Sequence, residues 1–314
     1  MDSIYLRLSI HDGCNLRCSY CRPARDVQLA SRRAVLDTAR LVELVGWIHA
    51  EVPIRKLRLT GGEPLLRPDA AELVAALRAC VPHAELCLTT NGTQLRRLSG
   101  PLREAGLDRI NVSLDTTDPE TYRALTRGGD LSAVLDGLSA ARTAGFEGLK
   151  LNAVLLRSLG GKRLIALVKN ACELASELRL IELMPISVAA GMHRNEYLSA
   201  QEASAMIAAE FGALRPETSS GVARRYRLKV GGRDFRVGFI PSVSDPFCST
   251  CDRLRIDCRG KLFACLRHPD WLDLAGPLGK GQPEVVRERI RRVLEAKCEP
   301  EAIWPGRQMS AIGG

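Results

Sequence analysis

Runs of alternating apolar and polar residues recur along the first two thirds of the chain, separated by amphipathic stretches. Alternation with a period of two predicts half-buried strands, and apolar residues every three to four positions predict helices. The predicted strands are residues 4–10, 54–60, 84–89, 109–114, 149–155 and 178–184. The predicted helices are residues 34–50, 69–80, 94–105, 131–144 and 162–176. Strands that alternate with helices predict parallel pairing, in an incomplete (β/α)6 TIM-type barrel or an open doubly wound sheet.

Each predicted strand has one polar face, which favours the barrel. The residues that share such a face are Arg7 and Ser9; Lys56, Arg58 and Thr60; Cys87 and Thr89; Asn111, Ser113 and Asp115; Lys150 and Asn152; Glu182 and Met184. Arg179 has the opposite parity to this last pair. A fully buried parallel sheet would be almost continuously apolar. We therefore expect a lumen that holds a polar ligand, and an anionic one because unpaired buried lysines are costly.

The pattern changes near residue 217. Short strands with an antiparallel pattern at 224–230 and 234–240 are followed by a cysteine-rich segment and a helix near 283–296. We therefore expect a partial barrel over residues 1–216 and a smaller C-terminal domain over residues 217–314.

The composition is that of an ordinary globular protein, with 46% hydrophobic and 26% charged residues in 314. No stretch reaches the ~18 apolar residues of a membrane span, and the first residues do not form a signal peptide. We expect a cytoplasmic protein that uses no membrane. Eleven cysteines in such a chain indicate metal binding rather than a disulfide framework. The net charge of +9 allows a metal-stabilised RNA-binding protein, but with 4% aromatic residues base stacking is poorly supported.

Two cysteine triplets are the strongest chemical signals. Cys14, Cys18 and Cys21 follow the first strand with C-x3-C-x2-C spacing. Three thiolates bind a cubane iron–sulfur cluster with one iron open, whereas structural zinc needs a fourth ligand. The second triplet consists of Cys248, Cys251 and Cys265. Spacing alone leaves open a zinc site completed by Cys258 or His268.

Residues beside the triplets suggest what the site binds. Gly61-Gly62-Glu63-Pro64 forms a turn after the second strand. Arg253 and Arg255 follow Cys251, and guanidinium groups bind phosphate through two parallel hydrogen bonds.

With Tyr20 before its last cysteine, the first triplet resembles the signature of the radical S-adenosylmethionine (SAM) enzymes, as does the GGEP turn. The whole pattern closely resembles the GTP 3′,8-cyclase family, which begins molybdenum-cofactor biosynthesis. The matching segments are Arg7-Leu8-Ser9, CNLRCSYCRPA, LRLTGGEPLLR, LTTNG, RINVSLDT, LKLNAV, LRLIELMP, FCSTCDRLRID and the terminal Met309-Ser310-Ala311-Ile312-Gly313-Gly314.

The resemblance implies two [4Fe–4S] clusters, SAM and GTP. Cys14, Cys18 and Cys21 would hold the first cluster, and Cys248, Cys251 and Cys265 the second. The residues implied at SAM are Tyr20, Gly61, Gly62, Glu63, Ser113 and Met184. Those implied at GTP are Arg7, Lys56, Arg58, Thr89, Lys150, Arg179, Arg253, Leu254 and Arg255. Catalytic roles fall to Arg7, Arg253, Arg255 and the tail glycines Gly313 and Gly314.

The implied reaction converts GTP to (8S)-3′,8-cyclo-7,8-dihydroguanosine 5′-triphosphate, after hydrogen abstraction from C3′ of the ribose. Such a lyase would need an electron donor of the flavodoxin or ferredoxin type. Its product would pass to cyclic pyranopterin monophosphate synthase, and the enzyme would be a monomer or homodimer that binds no nucleic acid. The nearest rival is a radical enzyme with an auxiliary cluster that acts on a peptide.

Overall fold

Six parallel strands joined by helices form the centre of the protein. The computed structural model describes residues 2–23, 35–218, 221–267 and 270–296. The six strands are β1 (Ile4–Ser9), β2 (Ile54–Thr60), β3 (Glu85–Thr90), β4 (Arg109–Ser113), β5 (Lys150–Leu155) and β6 (Glu177–Glu182). The helices between them are α1 (Thr38–Glu51), α2 (Ala70–Cys80), α3 (Leu95–Glu104), α4 (Pro119–Thr126), α5 (Leu131–Thr143) and α6 (Lys162–Leu174). The predicted strands and helices are thus confirmed to within a few residues, while α4 was not predicted.

The helices begin and pack as their sequences dictate. The Asp37 side chain caps α1 by accepting the Arg40 N–H, and Leu41, Leu44 and Ile48 of this helix are buried. They belong to one hydrophobic core that also contains the apolar faces of the central strands. Burial on that outer side leaves the opposite, polar face of the strands to line the lumen.

The C-terminal part of the chain extends the sheet at both edges. Its elements are α7 (Val188–Glu196), α8 (Ala200–Phe211), β7 (Arg215–Glu217), β8 (Arg224–Val230), β9 (Arg233–Ile240), β10 (Arg253–Ile256), β11 (Lys261–Phe263), β12 (Leu272–Asp273), α9 (Ala275–Gly279) and α10 (Pro283–Ala296). The strand order is β12-β11-β10-β1-β2-β3-β4-β5-β6-β9-β8-β7. Over the described residues this sheet has two free ends, so the barrel is incomplete, as expected. The division at residue 216 stays a prediction.

The register of β6 corrects one expectation. Lys150 and Asn152 of β5 pair with Glu177 and Arg179 of β6, and paired residues of parallel strands share a face. Arg179 therefore lies on the lumen face. Glu182 has the opposite parity, and its buried carboxylate accepts the Ala200 N–H at 2.9 Å on the outer side. The prediction that Glu182 faces the lumen is wrong, because a carboxylate satisfied by N–H groups can be buried on an apolar face.

Another prediction concerned Met184, which was paired with Glu182 on the lumen face. Met184 lies beyond the end of β6 and packs against a small cluster of Ile186, Phe263 and Leu266. Strand alternation therefore does not decide which way its side chain points.

Among the described residues no helix is both long enough and apolar enough to cross a membrane.

Candidate active site

The first cysteine triplet lies in the loop after β1, at the carboxyl ends of the parallel strands. The Cys14 sulfur accepts the Leu16 N–H at 3.4 Å and the Asn91 side-chain amide at 3.8 Å. Burial, together with Asp115, Cys21 and Cys14, raises the pKa of Cys18 well above its usual value. The Cys18 thiol is therefore close enough to Cys14 and Cys21 to be repelled by their thiolates. A bound cluster would relieve that repulsion, and N–H groups directed at the sulfur suit an iron–sulfur ligand.

The loop after β2 is pressed against this cysteine loop. The Gly62 N–H donates to His11 O at 2.8 Å, and the Glu63 N–H donates to Gly13 O at 2.7 Å. A Cβ atom on Gly61 would lie 2.0 Å from His11 O, and one on Gly62 would lie 2.3 Å from Gly13 O. Only glycine allows this approach, which explains the two glycines of the motif.

Glu63 braces these loops from inside. Its fully buried carboxylate accepts from Thr90 Oγ1 at 2.6 Å, from the Asn91 N–H at 2.6 Å and from the Leu65 N–H at 3.0 Å. Burial raises the pKa of Glu63 to about 7 in spite of these hydrogen bonds. Both carboxylate oxygens thus accept hydrogen bonds from within the protein, and the side chain holds the two loops together.

Tyr20 is fixed by Asp115, a residue that the sequence analysis placed on the polar face of β4 but not in the site. The Tyr20 hydroxyl donates to Asp115 Oδ2 at 2.6 Å, and Asp115 Oδ1 accepts the Val154 N–H at 2.8 Å. Ser113 lies two residues before Asp115 in the chain. It is in register with Asn152 of β5. The cysteine loop is thereby tied to the ends of β4 and β5.

A first group of cations lines the lumen on β10, β1 and β2. Arg7 stands between Arg255 and Arg58 in the strand register. Burial, opposed by Tyr5 and reinforced by Arg58 and Arg253, lowers the pKa of Arg7 to about 10. Burial with Arg7 and Arg253 lowers the pKa of Arg255 well below its usual value. Such mutually repelling cations suit a polyanionic ligand.

Two other predicted GTP residues take different positions. Thr89 accepts from Arg58 Nη1 at 3.1 Å and so borders the first cation group. Leu254 pairs with Leu6, is fully buried and belongs to the hydrophobic core on the outer face. Its side chain therefore does not face the lumen.

Tyr5 lies at the centre of the first cation group and was missed by the sequence analysis. Its hydroxyl oxygen accepts from Arg58 Nε at 2.5 Å and from Arg7 Nη1 at 3.4 Å. Lys56 Nζ and the Arg253 guanidinium carbon each lie 5.5 Å from the centre of its ring. The parity that Tyr5 shares with Arg7 in the first predicted strand was the available signal.

A second group of cations meets at the buried Glu177. Its carboxylate lies 2.7 Å from Lys150 Nζ, 2.8 Å from Arg179 Nε and 3.2 Å from Arg225 Nε. A Cβ atom on Gly238 would lie 3.3 Å from Glu177 Oε1, so this glycine leaves room for the group. Lys150 and Arg179 were predicted, whereas Glu177 and Arg225 were not. Three cations around one carboxylate leave a surplus of positive charge.

The pKa values of this second group follow from its contacts. Burial alone would raise the pKa of Glu177, but its bonds to Arg179 and Lys150 lower it to about 2. Burial, with Arg179, lowers the pKa of Lys150 to about 8, although Glu177 opposes the shift.

The second cysteine triplet lies near Arg255. Cys251 and Cys265 both act electrostatically on that guanidinium. The Arg267 N–H donates to Cys265 Sγ at 3.4 Å, and Arg267 Nη1 lies 3.5 Å from Cys248 Sγ. In the described residues no three His, Cys, Asp or Glu side chains form a site for a single metal ion. The donor set of three thiols with N–H groups on sulfur fits a cluster.

Cys258 occupies a different environment. It lies in the turn between β10 and β11, is 1% exposed, and its carbonyl accepts the Leu36 N–H at 2.9 Å. Burial and the charges of Asp12 and Asp257 raise its pKa to about 12. His268 and the tail glycines Gly313 and Gly314 lie outside the described residues.

Comparisons with known proteins cover most of the chain. The model of the Radical SAM superfamily matches residues 8–171, and that of Molybdenum Cofactor Synthesis C matches residues 176–302. GTP 3′,8-cyclase 1 of Pseudomonas aeruginosa is 43% identical, over 86% of this chain and 82% of that protein. GTP 3′,8-cyclase of Paenarthrobacter nicotinovorans is 38% identical, over 98% of this chain and 94% of that protein.

A solved structure shares the fold. SuiB of Streptococcus suis bound to S-adenosylmethionine matches with a TM-score of 0.59 at 13% identity, covering 92% of this chain and 68% of that chain.

Proposed function

The chain belongs to the GTP 3′,8-cyclase family of the radical SAM superfamily, and on that premise we propose how its residues cyclise GTP. The product is 3′,8-cyclo-7,8-dihydro-GTP, in the first step of molybdenum-cofactor biosynthesis. The observation that supports this assignment most strongly is a lumen with two cation groups, bordered by one cysteine triplet at the end of β1 and another beside Arg255.

The first triplet and its surroundings prepare the radical chemistry. When bound, a [4Fe–4S] cluster with an open iron supplies the electron that cleaves SAM. Cys14, Cys18 and Cys21 hold that cluster. The Tyr20–Asp115 bridge and the backbone of Gly61 and Gly62 orient SAM beside it, and Ser113 and Met184 complete its pocket.

The cation groups position GTP. Arg7, Arg58, Lys56 and Thr89 bind it from β1, β2 and β3, and Lys150 and Arg179 bind it from β5 and β6. Arg253, Arg255 and the backbone of Leu254 hold it beside the second cluster, which Cys248, Cys251 and Cys265 bind. Fixing the ribose C3′ and the guanine C8 in one geometry lowers the entropic cost of joining them. The tail glycines Gly313 and Gly314, which lie outside the described residues, keep the catalytic role that the family resemblance implies.

We assign the enzyme to the lyases. Its electrons come from a flavodoxin or ferredoxin type of donor, and cyclic pyranopterin monophosphate synthase takes its product. It acts in the cytoplasm, since its many thiols need a reducing compartment. It is a monomer or a homodimer.

The test is made without oxygen, on protein with reconstituted clusters, dithionite and SAM. 5′-Deoxyadenosine is quantified with GTP, with ATP and without nucleotide, and the cyclised nucleotide is identified by mass spectrometry. We expect stimulation by GTP alone. Cleavage that is indifferent to nucleotide would keep the radical chemistry but reject GTP as the substrate. Cys265→Ala serves as the matched variant, because it should keep SAM cleavage but lose cyclised product.

A further inference from the structure

The first cation group poses an electrostatic problem before substrate arrives. Arg7, Arg58 and Arg253 approach one another in a buried part of the lumen, where like charges repel strongly. The Tyr5 hydroxyl oxygen lies among them and accepts from two of the three guanidinium groups. A phosphate oxygen of a nucleotide bound there would seek those same donors.

We propose that Tyr5 is a positioning residue of the GTP site, whose phenol oxygen orients Arg7 and Arg58 until a substrate phosphate replaces it. This inference rests on the proposed function, since it takes the ligand of the cation group to be the GTP triphosphate. Tyr5 acts through the two arginines and has no role in the radical steps.

The charges around Tyr5 favour its ionised form. Burial alone would raise the pKa of the phenol, but Arg58, Arg7 and Arg253 outweigh burial and lower it to about 7, although Cys87 of β3 opposes them. Lys56 of β2 also faces the ring. Two further charged residues act on the arginines that surround Tyr5. Arg255 of β10 interacts electrostatically with Arg7, and Glu85 of β3 interacts with Arg58.

Entry of GTP must then reverse this effect. The triphosphate brings negative charge to the arginines that stabilise the phenolate, so the pKa of Tyr5 rises toward its ordinary value and the oxygen takes up a proton from solvent. GTP binding is therefore coupled to proton uptake, and it weakens as the pH rises through about 7. A tyrosine with a purely structural role would produce no such coupling.

The experiment measures the Kd of GTP for the anaerobic, cluster-loaded full chain between about pH 6.5 and pH 8.5. For the unmodified protein we expect the Kd to rise roughly tenfold over this range. Tyr5→Phe should raise the Kd roughly three- to tenfold at the acidic end and leave a much flatter profile. Lys150, with its pKa of about 8, contributes equally to both proteins, so the difference between the profiles isolates Tyr5.

Tyr226→Phe is the matched control, because Tyr226 packs edge-on against Phe239 away from the cation group and should keep the original profile. If Tyr5→Phe folds poorly, 3-fluorotyrosine at position 5 preserves the shape with a more acidic phenol, and it should move the midpoint to lower pH. Parallel profiles for Tyr5→Phe, or an unmoved midpoint with fluorotyrosine, would overturn the inference while GTP still binds. Failure of the unmodified protein to prefer GTP over ATP would instead overturn the proposed function and the inference together.

Discussion

The Lys150 ammonium and the Glu177 carboxylate lie 2.7 Å apart, in register on neighbouring parallel strands. Because Arg179 and Arg225 bond the same carboxylate, Glu177 is the shared partner of three cations. An anionic substrate that uses Lys150 or Arg179 has to compete with Glu177 for them. We therefore expect the affinity of the proposed GTP site on this side of the lumen to depend on this internal carboxylate.

Glu177→Gln should destabilise the protein by about 3 kcal/mol near neutral pH, because it leaves buried cations without their carboxylate. The native pKa of about 2 lies below the unfolded value. The stability that Glu177 contributes is therefore present above about pH 4.5 and is lost as the pH falls toward 2. Denaturant unfolding followed across this range should show the two proteins converging in acid.

The matched control is Glu210→Gln, which removes an exposed ion pair with Lys169. Its effect should stay within about 1 kcal/mol. Equal effects of the two variants would contradict the importance of burial at Glu177.

Lys150→Met should raise the KM for GTP by about tenfold or more near neutral pH, through the loss of a charged hydrogen bond. In the unmodified protein the KM should also rise as the pH passes through about 8, where Lys150 loses its proton. Steady-state formation of cyclised product as a function of pH checks both effects. Since Tyr5 also affects this range, the comparison is made in a Tyr5→Phe background, where a step near pH 8 that persists after Lys150→Met would belong to another group.

Cys265→Ala should halve the iron bound per chain, since one of two equal clusters is lost. Cys258→Ala should leave the iron content unchanged, because the Cys258 thiol is buried beside Asp12 and Asp257. Iron analysis and Mössbauer spectroscopy of the reconstituted variants measure this difference in cluster content. Loss of iron in Cys258→Ala would instead make Cys258 a fourth ligand of the second cluster.

Asp115→Asn should weaken SAM binding by about tenfold, because Tyr20 and the Val154 N–H bond different oxygens of Asp115 and the amide NH2 cannot accept in place of one of them. The KM for GTP should stay unchanged. Equilibrium dialysis with SAM measures the effect. Tyr122→Phe is the control, since the buried Tyr122 hydroxyl has no hydrogen-bond partner in the described part of the chain.

The sequence predicted which face of a strand each side chain lies on better than it predicted which residues of neighbouring strands that side chain contacts. Alternation placed Arg7, Arg58 and Lys150 on the lumen face correctly, because it depends only on the local backbone. Glu177 and Arg225 were missed because their roles arise from the register of β5, β6, β9 and β8, which local patterns do not specify. Glu182 was placed on the wrong face because a buried carboxylate bonded to N–H groups looks like a polar-face residue in the sequence.

The order of the strands has a consequence for synthesis on the ribosome. β1 is synthesised long before β10, yet it pairs with β10 at Arg253–Ile256, and β6 pairs with β9 at Arg233–Ile240. A nascent chain of six strands would expose both sheet edges and lack Arg253 and Arg255. The lumen lined by these strands can therefore be completed only after β9 and β10 have been synthesised.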